Sequence, residues 1–375
     1  MPARRPVVTA LDRGEKAFIG LLYTAIIVTT IVAFLALIAI SAKYQGSITA
    51  SATTGSSLFA LGVLSYLFGL RHGVDADHIA AIDNTTRKLL NEGKRPLTVG
   101  TWFSLGHSTI VVGMIVAIVF FTSAAVGALP ALQGIGSILG TLISGAFLWI
   151  IGIINVIIAV EIYRVYRAMR SGRYNEQSLE EQLNQRGFMN RVFGKFFKIV
   201  QTPRQIYPIG VLFGLGFDTA SEIAVIALSV TLGVSGAVPL YVVLVYPLLF
   251  MVGMVLVDTS DGIAMRFAYG WAFLRPVRKV YYNLTVTITS ILIAFVIGSV
   301  ELLQVLSQEL NLTGPIWDGL KGLDFETVGY LIIGVLLATW GIAYAYYRYK
   351  RLDQMVVGPD PSSAPPPGHQ EFEMG

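Results

Sequence analysis

The chain has 375 residues, of which 54% are hydrophobic and only 13% charged, with a mean hydropathy of +0.66. Soluble domains carry nearly twice that charged fraction, so there is too little polar surface to enclose a core in water and lipid must be the solvent. No cysteine occurs, which excludes disulfide frameworks, zinc ribbons, iron–sulfur clusters and thiol catalysis, and the net charge of +4 reads as membrane topology rather than nucleic-acid binding.

Eight apolar segments follow in chain order: Phe18–Ile40, Leu58–Ile82, Val99–Phe121, Ile138–Val160, Ile206–Leu232, Pro239–Ala264, Tyr281–Leu303 and Thr327–Tyr349. As a helix, each crosses a hydrocarbon layer of about 30 Å with its backbone polar groups paired internally. The expected fold is therefore all-α, a polytopic membrane protein of eight transmembrane helices. The first segment follows Arg4, Arg5, Arg13 and Lys16 as a signal peptide would, but it runs 23 residues without an A-x-A cleavage site and reads as a retained helix.

Of the 27 Lys and Arg residues, 24 fall on one side of such an eight-span arrangement and only Lys43 and Lys321 on the other, with Arg71 inside the membrane. Cytoplasmic loops carry the Lys/Arg excess, which puts both termini in the cytoplasm. The expected organisation is an N-terminal tail 1–17, a membrane domain 18–351 with a cytoplasmic linker 161–205, and a tail 352–375. Residues 301–326 (Glu301, Glu309, Asp318, Asp324, Glu326) read as an acidic external loop. The last stretch is Pro-rich with nothing to bury, so it is expected to be disordered and its His369 is no ligand.

A short repeat crosses the two halves. Leu67-Phe68-Gly69-Leu70 recurs as Leu212-Phe213-Gly214-Leu215, and Ile79-Ala80-Ala81-Ile82 recurs as Ile223-Ala224-Val225-Ile226, one residue out of the first register. Segments 2 and 5 run in opposite directions, so units 2–4 and 5–7 would be inverted three-helix repeats, a transporter design with its polar site near the midplane.

The chemistry lies where apolar segments hold groups that lipid cannot solvate. Segment 2 contains Arg71-His72-Gly73-Val74-Asp75-Ala76-Asp77-His78, then Asp83 and Asn84. Such residues must face a cavity or each other. At 100° per residue His72, Asp75 and His78 share one side of a helix and Asp77 points away, so an unbroken helix cannot aim both histidines and Asp77 at one ion. Either the helix unwinds at Gly73 or Asp77 orients a ligating imidazole from behind. Arg71 and Asp75, four apart, are placed to pair. Imidazole nitrogen with carboxylate oxygen suits Ni, Co or Zn rather than Mg or Ca. Segment 3 adds His107, with Ser104, Ser108 and Thr109. Segment 5 adds Asp218 and Glu222, and segment 6 Asp258 and Asp261, four acids that form a candidate cation pathway.

At these residues the sequence resembles the nickel/cobalt transporter (NiCoT) family, secondary permeases with eight helices. His72, Asp77 and His78 match the family's His-x4-Asp-His signature, and Arg71, Asp75 and Ile79 match its surroundings. Phe103-Ser104-Leu105-Gly106-His107-Ser108, Leu215-Gly216-Phe217-Asp218-Thr219-Ala220-Ser221-Glu222 and Leu256-Val257-Asp258-Thr259-Ser260-Asp261-Gly262 look like its other blocks. One departure is Gly73, where the family usually has Ala, a change that would loosen the helix. The resemblance implies uptake of Ni2+ or Co2+ through the bacterial cytoplasmic membrane, with metal contacts at the signature residues. The metal is then transported substrate, no cofactor is expected, and the chain lacks the His-rich loop of related efflux permeases. The alternative from another class, an intramembrane metal-dependent hydrolase, needs a His-Glu-x-x-His string that does not occur.

Overall fold

A computed structural model of the protein describes residues 12–49, 57–120, 122–170, 200–215, 220–234, 238–272 and 276–349. Among the described residues every regular element is helical. The first half comprises α1 (Arg13–Thr49), α2 (Leu58–His72), α3 (Ala76–Asn91), α4 (Val99–Phe120) and α5 (Thr122–Arg170). A 3-10 turn at Pro203–Ile206 leads to α6 (Tyr207–Phe213), α7 (Ala220–Val234), α8 (Leu240–Val243), α9 (Val245–Ala272), α10 (Pro276–Glu309), α11 (Pro315–Lys321) and α12 (Phe325–Tyr349). Five of these, α1, α4, α5, α9 and α10, are long and apolar enough to cross a membrane. Shorter apolar helices lie at Leu58–His72, Ser221–Val230 and Thr327–Ala343.

α9 is the hub. In its apolar window 72% of residues are buried within the protein, against 11% in α1, which runs along the outside. α9 packs on α1, α2, α3 and α4, while α5 pairs with α10 and α4 lies on α6. In lipid no hydrophobic force draws helices together, and small residues that let backbones approach do much of that work. A Cβ on Gly69 would sit 2.0 Å from the Phe250 carbonyl oxygen, and one on Gly253 would sit 2.5 Å from that of Tyr66, so α2 and α9 meet through a reciprocal glycine pair. Gly106 and Gly210 do the same for α4 and α6, each 2.1 Å by that measure from a backbone oxygen of the other helix, at Tyr207 and Phe103. Two apolar clusters result, one holding Phe103 with α3, α5, α10 and α12, the other holding Phe250 with α1, α2, α4 and α7.

Several sequence expectations change. Segment 2 is two helices, α2 ending at His72 and α3 continuing to Asn91, so Asp83 to Lys88 are buried helix rather than loop. Segment 5 is likewise divided between α6 and α7, and segment 6 gains the separate turn α8 before α9. Arg71 pairs with Asp324 on α12 at 3.2 Å, a partner that local spacing does not offer, and the break after His72 interrupts the helical spacing on which the expected Asp75 pairing rests. Glu301 is not in a loop: α10 carries it, buried, to within hydrogen-bond reach of Ser144. Of the 161–205 linker, α5 occupies the residues up to Arg170, and 171–199 lie outside the described residues together with the 352–375 tail.

Candidate metal site

The site begins with the way α2 stops. Val74 N–H donates to Arg71 O at 3.0 Å and Asp75 N–H to His72 O at 2.9 Å, the shorter-period bonds of a tightened last turn. Asp75 then has extended dihedrals (φ −58°, ψ 145°) and caps α3, its Oδ1 accepting from Ala76 N–H at 2.8 Å. Gly73 has ordinary helical dihedrals (φ −63°, ψ −11°), so its backbone asks for no glycine. Its neighbour does, because a Cβ there would lie 2.8 Å from Cβ of Val257 on α9.

The break swings His72, at the end of α2, and His78, in the first turn of α3, toward one point, and α4 supplies His107 to the same point. All three are no more than 2% exposed. Their ring centroids form a near-regular triangle with sides of 4.7, 4.8 and 4.9 Å, and one nitrogen from each lies within 4.8 Å of the others. His72 Nε2 and His107 Nε2 are 3.1 Å apart. Metal–imidazole bonds of roughly 2.0–2.1 Å place two donors on one ion roughly 3.0–3.4 Å apart, so that pair is already at ligand spacing and His78 has about an ångström to close.

Two of the rings have neighbours behind them. His72 Nδ1 lies 3.5 Å from Ser221 Oγ and 3.9 Å from Asp75 Oδ2. His78 Nδ1 lies 3.2 and 3.4 Å from the two oxygens of Asp258, which also accepts the hydroxyl proton of Ser104. His78 Nε2 has no hydrogen-bond partner among the described residues. Glu222, fully buried on α7, brings Oε1 to 3.6 Å from His107 Nε2, and neither of its carboxylate oxygens makes a hydrogen bond among the described residues. Phe250 and Phe103 wall the cluster, against His72 at 5.4 Å and His78 at 4.7 Å between centroids. Buried polar atoms without partners are costly, and among the described residues His78 Nε2 and both Glu222 oxygens are such atoms beside an apolar wall.

The remaining candidates are distributed around it. Asp77 is half-buried in the first turn of α3, with Oδ1 accepting from His78 N–H at 2.7 Å and Oδ2 3.4 Å from Ser144 Oγ on α5. It stands outside the three-imidazole group. Ser144 also donates to Glu301 Oε1 at 3.0 Å, so its hydroxyl lies between two acids. Asp261 is half-buried one turn beyond Asp258 on α9, its Oδ2 making no hydrogen bond among the described residues. Asp218 lies outside the described residues. Sequence reasoning missed Ser144 and the placement of Glu301; the available signal was an acid directly flanked by apolar residues, Val300 before it and Leu302 and Leu303 after.

A helical membrane protein that converges three buried imidazoles and a buried carboxylate on one interior point belongs to the class of membrane proteins that handle transition-metal ions. Residues 58–346 match the family model described as NicO, high-affinity nickel-transport protein, and the chain belongs to that family. It is 46% identical over 351 residues to the nickel transporter NicT of Mycobacterium tuberculosis, covering 92% of both chains. To a high-affinity nickel transport protein of Cupriavidus necator it is 43% identical, over 80% of this chain and 86% of that one. To the cobalt transport protein NhlF of Rhodococcus rhodochrous it is 32% identical, over 91% and 95%. No solved structure matches the chain. The protein is a multi-pass membrane transporter and not an enzyme, and the hydrolase alternative finds no support.

Proposed function

We propose that the protein is a secondary permease that takes up Ni2+ or Co2+ across the bacterial cytoplasmic membrane, with His72, His78 and His107 as nitrogen donors and Glu222 as the nearby carboxylate. The observation that carries this reading is the convergence of three buried imidazoles from three separate helices. A dication in a low-dielectric bundle must exchange its water for protein donors, and neutral imidazoles with one carboxylate do so while offsetting part of its charge. Asp75 serves from behind His72, and Asp77 adds negative charge beside His78 from the Ser144 and Glu301 side. Asp258 and Asp261 belong to the polar route around the centre, for which the sequence also offers Asp218.

The eight-span topology with both termini in the cytoplasm rests on the Lys/Arg asymmetry; five helices are long enough to cross, and shorter apolar helices lie within segments 2, 5 and 8. The inverted-repeat reading gains support from the two breaks: α2 ends just past Leu67-Phe68-Gly69-Leu70, and α6 ends within Leu212-Phe213-Gly214-Leu215. A membrane potential favours inward movement by about 2.3 kcal/mol per charge per 100 mV, enough to drive a dication.

The test is uptake of radioactive nickel by cells producing the protein, with cobalt as competitor, in wild type, His72→Ala and His78→Ala. The expected result is saturable uptake inhibited by cobalt and lost in both variants at near-normal membrane levels. Wild-type apparent affinity in both variants would move the site elsewhere. A reporter active only in the periplasm, fused after Gly375, should be silent, and its activity would overturn the topology.

A further inference from the structure

We propose that Asp258 and Ser104 are positioning residues that hold His78 in its Nδ1–H tautomer and thereby turn the Nε2 lone pair into the imidazole cluster. The inference rests on the metal-site reading above and adds to it how one donor is prepared before the ion arrives. A neutral imidazole has one N–H and one lone pair, and a carboxylate only accepts. Asp258 presents both oxygens to His78 Nδ1, at 3.2 and 3.4 Å, so the proton sits on Nδ1. Nε2 is then the basic nitrogen, and it is also the ring nitrogen without a hydrogen-bond partner among the described residues.

The carboxylate is itself fixed. Asp258 and Ser104 are both fully buried, and the Ser104 hydroxyl donates to Asp258 Oδ2. Ser104 Oγ also lies 3.0 Å from the Gly100 carbonyl, but its single proton goes to the closer acceptor, Asp258 Oδ2. The approach of α4 to α9 makes this contact: a Cβ on Gly100 would sit 1.8 Å from the Asp258 backbone oxygen. Ser104 and His107 lie three apart on α4 and share a face, so one helix supplies a donor and also the hydroxyl that steadies the holder of another. At His72 the neighbours of Nδ1 are Ser221 at 3.5 Å and Asp75 at 3.9 Å.

The chain has four histidines, so protein labelled with 15N-histidine gives few enough imidazole signals to assign, His78 being identified by its loss in His78→Gln. Nitrogen NMR of the metal-free protein in lipid bilayers, at about pH 8 and so above the ordinary imidazole pKa of about 6.5, reads the tautomer directly. The expected result is His78 protonated on Nδ1 in the wild type and shifted toward Nε2–H in Asp258→Ala. Nickel binding to the same samples should weaken roughly 10- to 100-fold in Asp258→Ala, the range for outer partners of metal-bound histidines, and by less in Ser104→Ala. His78 protonated on Nε2 in the wild type, or a tautomer unchanged by Asp258→Ala, overturns the proposal. If Asp258→Ala does not fold, the wild-type tautomer and Ser104→Ala decide it. Wild-type nickel binding by His78→Gln would sink the metal-site reading itself, whereas lost binding in that variant with the wrong wild-type tautomer sinks only the positioning role.

Discussion

Replacing His107 by glutamine tests the donor set at the residue that local sequence spacing does not tie to the signature. Glutamine roughly preserves side-chain bulk, so neighbouring His72, His78 and Glu222 keep packing contacts while the imidazole nitrogen is lost. That nitrogen is 3.1 Å from His72 Nε2 and 3.6 Å from Glu222 Oε1, at the centre of the arrangement. Apparent binding energies of roughly 10–16 kcal/mol for four-ligand metal sites assign about 2.5–4 kcal/mol to each donor. At about 1.4 kcal/mol per tenfold, His107→Gln should raise the half-saturating nickel concentration roughly 60- to 700-fold. The assay is initial-rate uptake of radioactive nickel into proteoliposomes across a wide concentration range, normalised to inserted protein. A half-saturating concentration within twofold of wild type would refute the three-imidazole site, because no other donor in that position could compensate so fully.

Further outcomes follow from packing. Gly106→Ala puts a methyl about 2.1 Å from the Tyr207 oxygen and should force α4 and α6 apart at a cost of roughly 1–3 kcal/mol, read as a lower melting temperature in detergent, whereas Gly113→Ala on the same helix meets nothing within 4 Å and should be silent. Gly73→Ala should impair nickel uptake through its 2.8 Å encounter with Val257 Cβ, and Val257→Gly, which removes that carbon, should restore part of it; failure of that rescue would mean that the encounter with Val257 is not what limits residue 73. Arg71→Gln and Asp324→Asn break an ion pair whose two side chains are 46% and 45% exposed, so each should change stability by less than about 1 kcal/mol and leave uptake near wild type.

The lipid solvent, the apolar segments and the identity of the site residues are legible in the sequence because each depends on a short window. A hydropathy stretch needs about 20 residues, and His72, Asp75, Asp77 and His78 lie within seven positions. Where those side chains point is decided by dihedrals at residues 73 to 75, and these are set by contact with α9 and by the Asp75 cap, neither of which a helical wheel contains. Arg71 illustrates the same point: spacing offers Asp75, but the break turns Asp75 inward and α12 arrives with Asp324, 253 positions away. Asp83 to Lys88 lie just past the apolar segment that ends at Ile82 and are buried helix, because α3 packs against α5, α9, α10 and α12. Likewise the separation of 180 positions between His78 and Asp258 hides their contact from any local pattern. Residue type and span therefore belong to the chain, while the pairing of donors with their holders belongs to helix packing, where glycine-to-carbonyl contacts fix the distances between backbones.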